Sequence, residues 1–193
     1  RCGATYRTPF FVESYRDEIS IVAETMSGSV EDGLSLSGNV KIYDANLSVF
    51  APLAKLDRSR FLEFERGALI QSSESLLLGE SGDLSLATKK GTLHRAQYVN
   101  VSSGFRATAD RIQVNGKGTL YLEKARLTAC GPGDNGWAVH SKQIKIDVEE
   151  NALALRGLNI RIKDFPIMYL PYVKIPSSLS TADTDEIEEG FMF

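Results

Sequence analysis

Two cysteines, two histidines and a few paired acids are the residues of this chain with chemistry to offer, and their spacing restricts what that chemistry is. Cys2 and Cys130 are separated by most of the chain. Two thiolates are too few for a four-ligand zinc site, and neither His94 nor His140 is spaced to complete one. His94 is read as sitting on a Lys/Gly turn and His140 on an alternating segment, where each serves as a surface or satisfied side chain rather than a catalyst. Glu149-Glu150 and Glu188-Glu189 read as solvated turn charges. A cupin needs more than two histidines. No catalytic residue, metal site or cofactor is therefore expected, and the chain is not expected to be an enzyme.

What the cysteines offer is covalent pairing. Cys130 stands at the entrance of the turn in Leu127–Val139, Leu-Thr-Ala-Cys-Gly-Pro-Gly-Asp-Asn-Gly-Trp-Ala-Val, and Trp137 at its exit. Gly and Asn tolerate the positive φ of a tight reversal, so Cys130 is read as exposed and positioned for a partner. Composition favours two unrelated free thiols; an oxidising compartment would give each a partner.

The elements that must hold this corner are strands. Period-two alternation begins at Ile19 and continues through Leu34–Tyr43, with one face buried and the other wet. Asp32-Gly33 marks a hairpin between the first pair. Leu47–Ala51 and Phe61–Glu65 follow; Pro52 and the short span argue against a helix between them and for a strand with an edge proline. Ala68–Gln71, Ser75–Leu78, a turn at Gly79–Asp83, Leu84–Thr88 and Thr92–Val101 continue at the spacing of an all-β sandwich, barrel or solenoid. Asp110-Arg111 breaks the alternation, as at a bulge. Asn115-Gly116 signals a hairpin into Thr119–Ala129, and Trp137–Val148 pairs with Ala152–Lys163 around Glu149-Glu150-Asn151. Repeated hairpins of this kind stack as rungs.

At 193 residues the chain can bury a core, and its formal net charge of −3 excludes the basic footprint of a nucleic-acid binder. No apolar run is long enough for a transmembrane helix. Arg1 in place of Met is read as a trimmed start, and Gly190–Phe193 as a strand cut in mid-element. The inward face is expected to hold Ile21, Leu34, Leu36, Val40, Ile42, Leu47, Val49, Leu62, Phe64, Leu76, Leu78, Leu84, Leu86, Phe105, Ala107, Ile112, Val114, Leu120, Leu122, Leu127, Val139, Ile144, Ile146, Leu153, Leu155, Leu158, Ile160 and Ile162. Periodicity alone favours a close-packed core there; a lipid-lined interior differs only in being unfilled.

The cysteine corner, followed by Phe165-Pro166-Ile167-Met168-Tyr169-Leu170-Pro171-Tyr172-Val173-Lys174-Ile175-Pro176, resembles the periplasmic domain of the lipopolysaccharide-assembly outer-membrane proteins of the LptD family. The upstream repeats resemble the OstA-like β-jellyroll shared with the periplasmic bridge proteins of that system. The resemblance implies an all-β OstA-like jellyroll of stacked antiparallel hairpins. Residues 1–18 would be a lead-in arm, 19–163 the jellyroll, and 164–193 the junction to an outer-membrane barrel absent here.

The same resemblance implies that lipopolysaccharide arrives from a periplasmic bridge protein by sheet-edge addition, near Ile19–Met26 and Leu34–Tyr43. Acyl chains would run inside, against the inward set above without Leu47, Leu76, Leu84, Ala107, Val114, Leu153 and Leu158. The lipid would then reach the outer leaflet from the periplasmic face of the outer membrane, with the lipoprotein LptE engaged through the missing barrel. Cys2 and Cys130 would correspond to cysteines that pair with partners in the barrel; they are otherwise free, or paired with each other. Pro166 breaks strand pairing at the handover, and Pro171 and Pro176 keep the exit edge loosely paired. The acidic stretch 177–189 reads as a link. The competing reading is a repeat-built scaffold or adhesion module with a filled core.

Overall fold

The computed structural model describes residue 2 and residues 19–29, 33–44, 47–147, 150 and 152–176, and in these the alternating segments are strands, as expected. In chain order they are β1 (Ser20–Val22), β2 (Thr25–Ser29), β3 (Gly33–Asp44), β4 (Leu47–Leu56), β5 (Phe61–Phe64), β6 (Ala68–Gln71), β7 (Ser75–Gly79), β8 (Ser81–Ser85), β9 (Lys90–Asn100), β10 (Arg106–Asn115), β11 (Thr119–Thr128), β12 (Trp137–Asp147), β13 (Ala152–Ile162) and β14 (Phe165–Pro176). No helix of the described residues is long and apolar enough to cross a membrane. The strands form one sheet, in the order β1-β3-β4-β5-β8-β9-β10-β11-β12-β13-β14. Beside that path β2 pairs with β3, and β6 and β7 bridge β4 to β9.

Every ladder between two long strands lapses at one level. Between β9 and β10 the pairing passes from Ala96↔Ala109 to His94↔Arg111, leaving out Arg95 and Asp110. The same step omits Lys124 and Lys142 between β11 and β12, and Lys142 and Gly157 between β12 and β13. It omits Gly157 and Pro171 between β13 and β14. Upstream, the β3–β4 register shifts across Gly38 and Asn39, opposite Pro52. Asn39, Arg95, Lys124 and Gly157 are left-handed at these points. An extra unpaired residue bends a strand, so aligned lapses put a single crease across the sheet. The expected irregularity at Asp110-Arg111 is one step of it.

The crease has a sequence signature. At each crossing two buried residues bracket two that are not: Ala51 and Ala54, Leu93 and Ala96, Ala109 and Ile112, Leu122 and Ala125, Ser141 and Ile144, Leu155 and Leu158. One added residue shifts the period-two phase, so both flanking side chains point to the same face. With no helix among the described residues to cover it, that apolar face is buried by folding the sheet on itself. Two wings result. The first holds β1, β6, β7 and the long-strand halves on their side; the second holds β2, β5, β8 and the remaining halves.

Small residues on one wing face the crease beside large ones on the other. Ala96, Ala109, Ala125 and Ser141 lie on the first wing, with Leu93, Ile112, Leu122 and Ile144 on the second, and all eight are buried. The Ser141 hydroxyl lies 2.9 Å from the Gln143 carbonyl and 2.8 Å from that of Arg156, which gives a donor to carbonyls at the lapse in the ladder. Pro52 is tolerated because on its side β4 changes partner from β6 to β5, so no ladder bond there requires its missing N–H.

Two local expectations are corrected. Gly79–Asp83 is not a turn: the chain crosses the crease at Glu80, whose N–H donates to the His94 carbonyl, and continues as β8. His94 lies within β9, paired with Arg111 and Ser81, not on a turn. The proline-punctuated run continues the sheet: β14 pairs with β13 from Phe165 to Pro176, and the register shifts beside Pro166. Residues 1 and 3–18, Asp32, Glu149, Asn151 and 177–193 lie outside the described residues.

Enlarging a small crease residue tests this packing. Ala125→Leu is expected to lower the unfolding free energy by about 1–3 kcal/mol in denaturant titration. Leu78→Ala, on an exposed side chain, should stay within about 0.5 kcal/mol of the parent.

Candidate functional site: an apolar cavity between two wings

The interior is filled along the crease and opens away from it. Leu36, Leu62, Phe64, Leu93, Ile112, Leu122 and Ile144 are fully buried against one another's cluster. Farther out lies a cavity of about 400 Å³, within the roughly 300–1,000 Å³ range of small-molecule sites. Its first-wing wall carries Leu47, Ile70, Leu77 and Tyr98; its second-wing wall carries Leu84, Val114 and Leu120. Ser72, Glu74, Ser75, Lys89 and Asn100 supply polar groups. Burial pushes the Tyr98 phenol above its ordinary value, against the opposing hydrogen bond from Asn100, so it lines the wall as a neutral group.

Among the described residues the free ends of the wings meet in an ion pair. Lys89 stands in the turn between β8 and β9, on the second wing, and its ammonium binds the carboxylate of Asp44, at the first-wing end of β3. Lys89 is set in place by a left-handed backbone and by its N–H donating to the Ser85 carbonyl at 2.8 Å.

Of the residues expected on the inward face, Leu36, Val40, Ile42, Val49, Leu62, Phe64, Leu84, Leu86, Ala107, Ile112, Leu120, Leu122, Leu127, Ile144, Ile146, Leu155 and Leu158 belong to the buried core. Ile21, Leu34, Leu47, Phe105, Val114, Val139, Leu153 and Ile160 pack against it, partly buried. Leu78 is corrected: it is 42% exposed, and Leu77 enters the core instead. Three consecutive leucines carry no phase, and it is the pairing of Leu77 with Ile70 and Tyr98 that sets it. Ile162 keeps the inward phase but is 47% exposed, at the tip of β13. Ile70 and Leu77 were not identifiable from alternation alone, since short β6 and β7 show too few periods; Tyr98 lies in the long β9, beyond the lapse at Arg95, where the phase has shifted.

The sheet ends in two different edges. On one, β1 and β2 pair among the described residues only with β3; β3 itself is an inner strand, so the edge these residues leave free is narrower than expected, Ser20–Val22 with Thr25–Ser29. On the other, β14 presents Phe165, Ile167, Met168, Tyr169 and Tyr172 exposed. Two strands in from that edge, on β12, His140 is held below its ordinary pKa, first by burial and then by the charges of Arg161 and Arg126, with Asp164 opposing.

At the cysteine corner, Cys2 and Cys130 are bonded to each other, across 128 residues of chain. Contrary to expectation Cys130 is fully buried while Cys2 is exposed. The corner closes over it: Arg106 donates to the Cys130 and Gly131 carbonyls, both at 2.9 Å, and Thr128 Oγ1 accepts from the Cys130 N–H at 3.1 Å. Trp137 meets Phe105 edge-on nearby.

A single antiparallel sheet creased over an apolar interior is an all-β, jellyroll-like domain. The chain belongs to the family described as LptA/(LptD N-terminal domain) LPS transport protein, whose model matches residues 20–152. It is 28% identical over 178 residues to the LPS-assembly protein LptD of Shewanella frigidimarina, covering 92% of this chain and 22% of that protein. It is also 28% identical over 172 residues to LptD of Hahella chejuensis, covering 89% and 21%. The chain thus spans about a fifth of the length of these relatives. Among solved structures, LptH of Pseudomonas aeruginosa, titled an LptA-homologous periplasmic component of a lipopolysaccharide transport device, aligns with a TM-score of 0.47 at 9% identity. That alignment covers 54% of this chain and 80% of LptH.

A cross-link over so long a loop stabilises chiefly through the unfolded chain. Cys2→Ser is expected to lose about 2–4 kcal/mol in denaturant titration. Reductant should bring the parent to the same midpoint and leave the variant unmoved.

Proposed function

We propose that this chain carries lipopolysaccharide at the periplasmic face of the outer membrane. The free edge of β1 and β2 accepts a strand of a periplasmic jellyroll bridge protein, since an edge is a row of unpaired N–H and C=O groups. Acyl chains lie between the wings, and the lipid leaves along β14 toward the membrane for insertion in the outer leaflet. Pro166, Pro171 and Pro176 remove donors from that last strand, and Pro171 and Pro176 keep its outer edge from recruiting another. The lipoprotein LptE would engage a barrel beyond the chain, to which residues 164–193 form the junction. Residues 1–18 would be the arm leading in.

The cavity carries this reading. A wall of Leu, Ile, Val and Tyr open between two wings holds acyl groups at about 0.8 kcal/mol per buried CH₂. That suffices for retention and needs no catalytic group. Within the originally expected set, Leu120 and its neighbours toward the free ends meet lipid, while Leu122 and Ile144 pack the crease.

Photocrosslinking in cells that make lipopolysaccharide tests it. Probes at Ile70, Leu77 and Leu120 should give lipopolysaccharide adducts; probes at the outward Lys41 and Glu63 should give none. A well-folded chain without adducts at the cavity positions would favour the filled-core scaffold.

A further inference from the structure

We infer that the Lys89–Asp44 ion pair is a latch across the mouth of the apolar cavity, and that it opens to let an acyl chain in. The inference rests on the lipid reading of the cavity. Three observations carry it. The two residues belong to opposite wings, Asp44 at the end of β3 and Lys89 in the β8–β9 turn. Lys89 and Leu47, the residue paired with Asp44 at the start of β4, both line the cavity. Other ion pairs of the described residues lie elsewhere: Lys124–Asp110 and Arg95–Glu80 along the crease, Lys145–Asp147 and Lys174–Glu150 within the second wing.

The wings are therefore joined covalently by every long strand at the crease, and by a breakable charge contact at their free ends. Asp44 is mostly shielded, with its side chain 16% exposed, while Lys89 is 40% exposed. Water reaches the lysine, so the contact is weak enough to exchange. Breaking it uncovers Leu47 and Leu84 without disturbing the crease. An amphiphile with an anionic head, a carboxylate or phosphate, is suited to this entrance, because its charge competes with Asp44 for the ammonium while its chain enters.

The test uses the intact chain with an anthroyloxy-labelled stearic acid as probe, its uptake followed by fluorescence. The double variant Asp44→Cys/Lys89→Cys is either capped at both thiols with N-ethylmaleimide or joined by a short bis-maleimide, so the native disulfide is untouched. Both forms lack the ion pair; only one is tied shut. The joined form should take up the probe about tenfold more slowly, or more, than the capped form. Asp44→Asn alone should speed uptake about two- to fivefold, as the loss of a partly exposed pair gives. The charge-swapped Asp44→Lys/Lys89→Asp should return to the parent rate. Equal uptake by joined and capped forms would overturn the latch and leave the lipid reading standing. No uptake by the parent or by any folded variant would overturn both.

Discussion

The crease is the constraint on which the rest depends. Among the described residues no helix covers the apolar face of the sheet, so the sheet covers itself, and folding requires every long strand to bend at the same level. The lapses in pairing achieve this: from β9 to β14 one residue of each strand is left unpaired, Arg95, Asp110, Lys124, Lys142, Gly157 and Pro171 in turn. Small residues beside the bend on the first wing leave room for the large ones on the second. The two layers pack tightly there and diverge outward, so the cavity is a consequence of geometry rather than of missing side chains.

The same geometry distinguishes the two sides of the interior. Near the bend, neighbours are fixed by short covalent paths and close packing, and fully buried side chains such as Leu93, Ile112 and Leu122 cannot move independently. At the free ends the wings are separate turns. The cysteine corner ties one of these turns to the start of the chain, through the Cys2–Cys130 bond. The β14 edge shows aromatic and aliphatic side chains to the outside. The family is described as one of lipopolysaccharide transport, and the function proposed above gives the interior and the β14 edge a use.

Much of the fold was legible because alternation survives in the long strands. The hairpins Thr119–Ala129, Trp137–Val148 and Ala152–Lys163 fall within a residue of β11, β12 and β13. The crease was visible only as one irregularity, at Asp110-Arg111. Its residues share no type, running from proline to lysine, and the repeated buried-two-buried spacing emerges only when the crossings are aligned. Leu78 and Leu77 exchanged places because a leucine run has no phase. Gly79–Asp83 misled because glycine-rich composition, which signals turns elsewhere, here serves a sharp crossing and close strand approach: a Cβ on Gly82 would stand 2.3 Å from the Thr92 carbonyl oxygen. The Lys89–Asp44 contact joins residues brought together only by folding the sheet, and no local pattern announces it.

The central claim is that one creased sheet holds lipid between two wings. It is tested most directly by pulsed electron paramagnetic resonance between spin labels at Ser102, at a first-wing tip, and Lys117, at a second-wing tip. A second pair at Lys117 and Glu150 lies within the second wing. The account predicts that bound lipopolysaccharide lengthens the distance across the wings and leaves the distance within one wing unchanged. A cross-wing distance that stays fixed while lipopolysaccharide is bound would contradict it.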